Sequence, residues 1–216
     1  MTLPPDFTPD EGAFYARVQP YTMTSPERIL SLRYAIHYLA TQHIPGAIVE
    51  CGVWQGGSAI AALLACEECH WPVPDVWLYD TFNGMTHPLE GEAYGADGHL
   101  LEQGDLACSL RTVRANIQRF YAGPVRYVQG PVERRIPAHV PDQIALLRLD
   151  TDWYVSTKHE LTHLFPRLVV GGVLIIDDYG HWEGARKAVD EYWAETHPHM
   201  LLIRVDYTGR MGVKLA

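Results

Sequence analysis

The chain has 216 residues, 47% of them hydrophobic, and a formal charge of −9, which fits one globular domain with a substantial core. The acidic balance argues against nucleic acid as the main partner, since phosphate binding needs a basic surface. No apolar run approaches the roughly 20 residues of a membrane span, and MTLPPDFTPDEG has neither the basic start nor the apolar centre of a signal peptide, so the expectation is a cytoplasmic protein with reduced thiols.

Residues 1–24 carry Pro4, Pro5, Pro9 and Pro20 and read as an N-terminal arm that packs on the domain or on a partner subunit, helical only over Glu11–Val18. The main domain, 25–216, opens at Ser25-Pro26-Glu27, with Ser at the N-cap and Pro at the first helical position. Ile29, Leu32, Ile36 and Leu39 continue that helix to the Pro45-Gly46 stop. Ala47–Cys51 is the first predicted strand. It runs into Glu50-Cys51-Gly52-Val53-Trp54-Gln55-Gly56-Gly57-Ser58 and then a small-residue helix, a strand–glycine turn–helix unit whose glycines let a ligand approach the backbone. Trp54 stands where the second glycine of GxGxxG would be, and there is no P-loop Lys-Ser/Thr, so a dinucleotide pyrophosphate is poorly supported. Cys66-Glu67-Glu68-Cys69-His70 matches the CxxCH haem-attachment pattern, but it falls in a helix of a chain expected to stay in the cytoplasm. Zinc is unsupported too, for want of a second ligand pair at the right spacing.

The second strand, Val76–Asp80, ends in an acid placed to accept hydrogen bonds from ribose hydroxyls, with Thr81 and Phe82 following. With the glycine turn, this points to a nucleoside-containing ligand. The glycine-rich stretch over about 83–105 has no periodicity and reads as a lid near the site, carrying His87 and His99. A helix is expected over Leu106–Tyr121, a third strand over Val125–Gln129 with Gly130 after it, and a fourth over Ile144–Leu149. A helix over Gly180–Glu195 and a hairpin turning at Thr208-Gly209 finish the chain.

The most informative stretch is Leu146–Asp178. Two apolar strands end in acids, Asp150 and Asp152 after the first and Asp177 and Asp178 after the second. Leu161, Leu164, Phe165 and Leu168 recur at helical spacing between them, and Gly171-Gly172 marks a stop. Such a βαβ unit makes the strands parallel and brings the acids to one edge, where ligands bind. Clustered carboxylates repel unless a cation lies between them, and all-oxygen ligation suits a hard ion such as Mg²⁺. Taken singly, each Asp would serve equally as a helix cap or a solvated strand end.

The expected fold is therefore α/β: a seven-stranded, mostly parallel sheet with helices on both faces and a C-terminal antiparallel hairpin, resembling the Rossmann-like class I methyltransferases. VECGVWQGGSAI, LYDTFNGM, LLRLDTDWYVST and LIIDDYGHWEGARKAVDEY together resemble the TylF/MycF family of macrolide sugar O-methyltransferases, from about Tyr21 to the helix after Asp178. The resemblance implies S-adenosylmethionine as methyl donor, Mg²⁺, and as acceptor a sugar hydroxyl of a glycosylated natural product in secondary metabolism. It places Glu50, Gly52, Val53, Trp54, Gly56, Gly57 and Ser58 at the methionine part and Asp80 at the ribose. Thr81, Phe82 and Gly130 fall within the same donor site, and Thr22 and Met23 close over the donor. Asp150, Asp177 and Asp178 match the metal ligands. A homodimer or larger homo-oligomer is implied as well.

Methyl transfer to an aliphatic hydroxyl needs its pKa lowered and a base to take the proton. Catechol methyltransferases resemble this arrangement but place a lysine three residues after the first metal Asp; here that residue is Trp153. Asp152 or Asp150 is the candidate base, with His181 in reserve. Two other classes stay open: a metal-dependent hydroxylase resembling the cephalosporin-hydroxylase type, and a non-catalytic nucleoside-binding domain.

Overall fold

The structure, a computed structural model, describes residues 3–89 and 94–216. Helix α1 (Pro9–Val18) begins at Thr8, whose hydroxyl accepts from the Glu11 amide while Glu11 accepts from the Thr8 amide, a reciprocal capping box. This signal in the sequence starts the helix two residues before Glu11. Phe14, Tyr15 and Val18 are buried against α2 (Pro26–Thr41) and α3 (Gly57–Glu68). The arm is thus continuous with the chain's own core.

The sheet contains β1 (Ala47–Cys51), β2 (Val76–Asp80), β3 (Arg126–Gln129), β4 (Ile144–Leu149), β5 (Leu168–Ile176), β6 (Ile203–Arg204) and β7 (Arg210–Val213). Its order is β3-β2-β1-β4-β5-β7-β6, as expected of the fold. The first five strands are parallel, β7 is antiparallel to β5, and β6 is antiparallel to β7. Alternation along each strand divides two cores. Ile48, Leu146, Val173 and Ile175 face α2 and α3, with Val113 and Ile117 of α4 (Leu110–Gln118). Val49, Leu147, Leu174 and Ile176 face α5 (Val132–Arg135), α6 (Tyr154–Leu164) and α7 (Glu183–Thr196). Both sheet faces are covered, which is why the central strands read as continuous apolar runs. Among the described residues no helix is long and apolar enough to cross a membrane.

Further boundaries differ from expectation. α4 starts at Leu110, because Ser109 caps it through the Thr112 amide (3.1 Å) and Leu106 adopts a left-handed conformation (φ 56). α6 stops at Leu164; Pro166 lies in a short 3₁₀ turn, and Leu168 already belongs to β5, which runs through Gly171-Gly172. α7 begins at Glu183, so residues 178–182 form a turn beyond β5. The lid's base is closed by backbone bonds between Met85 and Asp105 (2.8 Å) and between Gly104 and Met85 (3.0 Å). Residues 90–93 of the expected lid lie outside the described residues.

The ends of β1 and β4 come together at Gly52. It has φ +82, and a Cβ there would lie 1.8 Å from the Asp150 carbonyl oxygen. Replacing Gly52 with Ala adds the cost of a left-handed residue, about 1–3 kcal/mol, to a backbone clash. We expect Gly52→Ala to lower the urea-unfolding midpoint clearly; an unchanged midpoint would contradict this packing.

Candidate active site

The carboxyl ends of the parallel strands open into a cavity of ≈ 340 Å³. One end is formed by the glycine turn after β1, where Gly52, Val53, Trp54, Gly57 and Ser58 line the wall beside Asp80, Thr81 and Gly130. Thr22 and Met23 cover this end; a Cβ on Gly57 would lie 2.5 Å from Thr22 Cβ, so only glycine permits so close a cover. The other end holds Asp150, Asp152, Asp177, Asp178 and His181, with Glu50 also lining the cavity. Gly56 and Phe82 do not line it. Gly56 turns toward Ile117 and Val113, and Phe82 is 5% exposed in the core, edge-on to Tyr127. The aromatic ring belongs to the apolar layer over the sheet, so proximity to Asp80 in sequence did not make it a cavity residue.

Asp80 is committed to its neighbours. Its Oδ2 accepts from the amides of Val53 (2.7 Å) and Trp54 (3.0 Å), and its Oδ1 accepts from that of Phe82 (2.7 Å). The carboxylate at the end of β2 therefore braces the glycine turn at the end of β1, with Trp54 left-handed (φ 46).

The acids at the far end are held by two arginines that the sequence reading passed over. Arg148 lies on β4 opposite Glu50 in the β1–β4 register and is 3% exposed. It donates to Glu50 Oε1 (2.7 Å) and Thr24 Oγ1 (3.2 Å), and its Nη2 lies 2.8 Å from both Asp150 Oδ2 and Asp177 Oδ1. Arg28, in the first turn of α2, pairs with Asp177 Oδ2 and with Asp206 (3.0 Å), and Ser25 donates to Asp206 (2.8 Å). Asp206 in turn accepts from Thr208 and Gly209 in the β6–β7 turn.

Carboxylates still outnumber guanidiniums here, and burial works against their ionisation. Burial pushes the Glu50 carboxyl up to about 8 despite Arg148. It pushes Asp152 up to about 7, with repulsion from Asp150 adding to the effect. Asp178 is driven well above the carboxylate range by burial and by its neighbours Asp152, Asp150 and Asp177. Asp150 is raised as well; its side chain keeps 29% exposure, but it sits on a concave wall enclosed by protein. Such a cluster is stabilised either by protons or by a cation.

The donor set fits a hard divalent ion. Asp150, Asp177 and Asp178 each offer an oxygen, all within 4.8 Å of one another. Asp177 Oδ1 is buried and accepts no hydrogen bond, since the nearby Arg148 nitrogen is not aligned with it. Asp152 is left-handed (φ 65), and its amide donates to Asp178 Oδ2 (3.1 Å). His181 Nδ1 lies 3.0 Å from the Tyr207 hydroxyl, and its Nε2 lies 3.6 Å from Asp97 Oδ1 on the lid. Trp153 is 3% exposed, edge-on to Trp182 (5.2 Å), and packs with Leu101, Met85 and Leu106 of the lid. His99 lines the cavity and His87 does not.

A seven-stranded sheet of this order, with a glycine turn after β1 and an acid braced at the end of β2, defines the class I methyltransferases. The TylF macrocin-O-methyltransferase family model matches residues 12–212. The chain is 35% identical to a tetracenomycin rhamnosyl 4'-O-methyltransferase from Streptomyces olivaceus over 199 residues, 88% of this chain and 74% of that one. It is 33% identical to the mycinamicin III 3''-O-methyltransferase of Micromonospora griseorubida over 192 residues, 85% of this chain and 74% of that protein. The solved structure of the O-methyltransferase NovP superposes with a TM-score of 0.81 at 30% identity, covering 91% of this chain and 83% of that one. The chain belongs to the TylF macrocin-O-methyltransferase family and is a methyltransferase.

The bracing by Asp80 makes a prediction that a pure ligand contact would not. Asp80→Ala leaves three backbone amides without their acceptor, at a cost of about 1–3 kcal/mol for each buried donor left unpaired. We expect a lowered melting temperature of the ligand-free protein, together with weaker donor binding. A ligand-free melting temperature equal to wild type would remove the bracing role.

Proposed function

We propose that this protein transfers the methyl group of S-adenosylmethionine, with Mg²⁺, to a sugar hydroxyl of a glycosylated natural product in antibiotic-type secondary metabolism. The observation that carries this reading is a single cavity with the glycine turn at one end and the Asp150–Asp177–Asp178 cluster at the other. Family membership favours methyl transfer over a metal-dependent hydroxylase or a non-catalytic nucleoside-binding domain.

Bound here, the donor would supply an electrophilic sulfonium methyl, and the ion would supply positive charge that makes a hydroxyl more acidic. The protein's own part is placement and proton handling. The glycine turn, fixed by Asp80, would set the donor's position, with Thr22 and Met23 as its cover. Asp150, Asp177 and Asp178 would hold the ion. Asp152, which lines the same cavity next to the acids that would hold the ion, is placed to receive the hydroxyl proton. Asp150 stands next to it, and His181 lies at the lid side. Trp153 fills the place of a lysine base and leaves that role to a carboxylate.

The charge of the cavity bears on the acceptor. Arg28 and Arg148 are both consumed by carboxylates, and among the described residues no lysine lines the wall. A nucleotide-activated sugar would bring a diphosphate that meets no unpaired arginine or lysine among the described residues of the wall. An uncharged sugar already joined to its aglycone fits better. Exposed Met23 and Tyr207 at the cavity offer apolar contact to such an aglycone.

Calorimetric titration with S-adenosylmethionine, with and without Mg²⁺ and with NAD as control, tests the donor. We expect donor binding and no NAD signal; absence of donor binding in both conditions would overturn the reading. Asp178→Ala should lose at least about tenfold in Mg²⁺ affinity, the scale on which metal sites respond to lost partners, while keeping donor binding. Full turnover of that variant in chelator would end the metal role. Because protons and the ion compete for the raised carboxylates of Asp150 and Asp178, Mg²⁺ affinity should weaken as pH falls. A pH-independent affinity would contradict this.

A further inference from the structure

Glu160 has no part in the chemistry above, yet it is 0% exposed on the core face of α6. A carboxyl in such a place is costly unless its polar atoms are fully used. Both of its oxygens lie 3.1 Å from the Thr151 hydroxyl. Thr151 stands between Asp150 and Asp152, on the loop that ends β4. Cys51 ends β1, immediately before Gly52 of the donor turn, and its carbonyl accepts from the Asp150 amide (2.9 Å). Glu160 thus holds the loop that meets the end of β1.

The loop it touches needs holding. Asp152 is left-handed (φ 65), and the Thr151 carbonyl accepts from the Trp153 amide (2.7 Å) in a tight turn. The Thr151 hydroxyl ties the loop to α6, beside the Arg148–Asp150 pair and the bond from the Asp152 amide to Asp178. Burial, with Glu133 nearby, drives the Glu160 carboxyl well above the usual range. A neutral carboxyl can serve as donor and acceptor at once, which suits a hydroxyl within reach of both its oxygens.

We propose that Glu160 is a positioning residue: through Thr151 it holds the Asp150–Asp152 loop in place beside the end of β1 and sets the distance between the metal-binding acids and the donor turn. It touches neither donor nor acceptor. The proposal deepens the metal-dependent reading above, and its test separates the two.

The test compares Glu160→Gln, Glu160→Leu and Thr151→Val in the full chain. Backbone amide hydrogen exchange at Asp150, Asp152 and Trp153 needs no metal and decides the pinning. Exchange there should be about tenfold faster in Glu160→Leu and in Thr151→Val, and within about threefold of wild type in Glu160→Gln, with the sheet core unchanged. The double variant Thr151→Val/Glu160→Leu should be no faster than either single one, because both remove the same contact. Unchanged loop exchange, acceleration spread evenly over the domain, additive effects, or failure of Gln to rescue would each overturn the proposal. Thr151→Val removes little more than a hydroxyl and carries the test should Glu160→Leu not fold. Titration of the same proteins with MgCl₂ should show about tenfold weaker binding for the two loosened variants, the size seen when an outer partner of a ligand is lost. A wild type that binds no Mg²⁺ would refute the metal reading and leave the exchange result to judge Glu160.

Discussion

The guanidinium of Arg148 is the interaction on which the rest of the site depends. It sits within a strand covered on both faces, in a position where the run of apolar residues would otherwise continue. It touches Glu50 on β1, Asp150 at the end of β4, Asp177 at the end of β5 and Thr24 ahead of α2. Without it these acids would face one another across a few ångströms of low-dielectric protein. Removing one partner of a buried ion pair costs on the order of 3–5 kcal/mol, and here several partners would be orphaned together. The parallel sheet supplies the geometry, because adjacent parallel strands end on one side and Glu50 and Arg148 share a register.

The charges extend outward from there in a chain. Asp177 passes from Arg148 to Arg28, Arg28 reaches Asp206, and Asp206 closes the β6–β7 turn. The α2 N-terminus, the middle of the sheet and the C-terminal hairpin are tied by the same buried ions. Arg28 lies in the first turn of α2, only a few residues after Thr22 and Met23, so the segment that rests on Gly57 and the acid cluster share a mechanical link.

Much of this was legible in sequence, and for definite reasons. The strands announced themselves as apolar runs because both faces are buried, and their terminal acids stood out against those runs. The glycine turn and the Asp177-Asp178 pair were found in the same way. The lost information was of three kinds. Arg148 was visible as a charge within LLRLD, yet a single charge names no partner, and its partners come from β1, β5 and residue 24. Glu160 was hidden because one polar residue beside Leu161 and Leu164 is compatible with an exposed face. Boundaries went astray where local chemistry outranks periodicity: Ser109 capping α4, Pro166 ending α6, and the 178–182 turn delaying α7. Asp80 adds a further point: its place at a strand end beside the cavity was legible, while its bracing of the neighbouring turn was not.

The link through Arg28 has a thermodynamic consequence. Thr22 rests against Gly57, and the helix that follows delivers Arg28 to Asp177. On the proposed reading, a ligand that displaced residues 22–24 would act on the Arg28–Asp177 pair as well. Occupancy of one end of the cavity would then alter the free energy of occupying the other, and reciprocity would make the two effects equal.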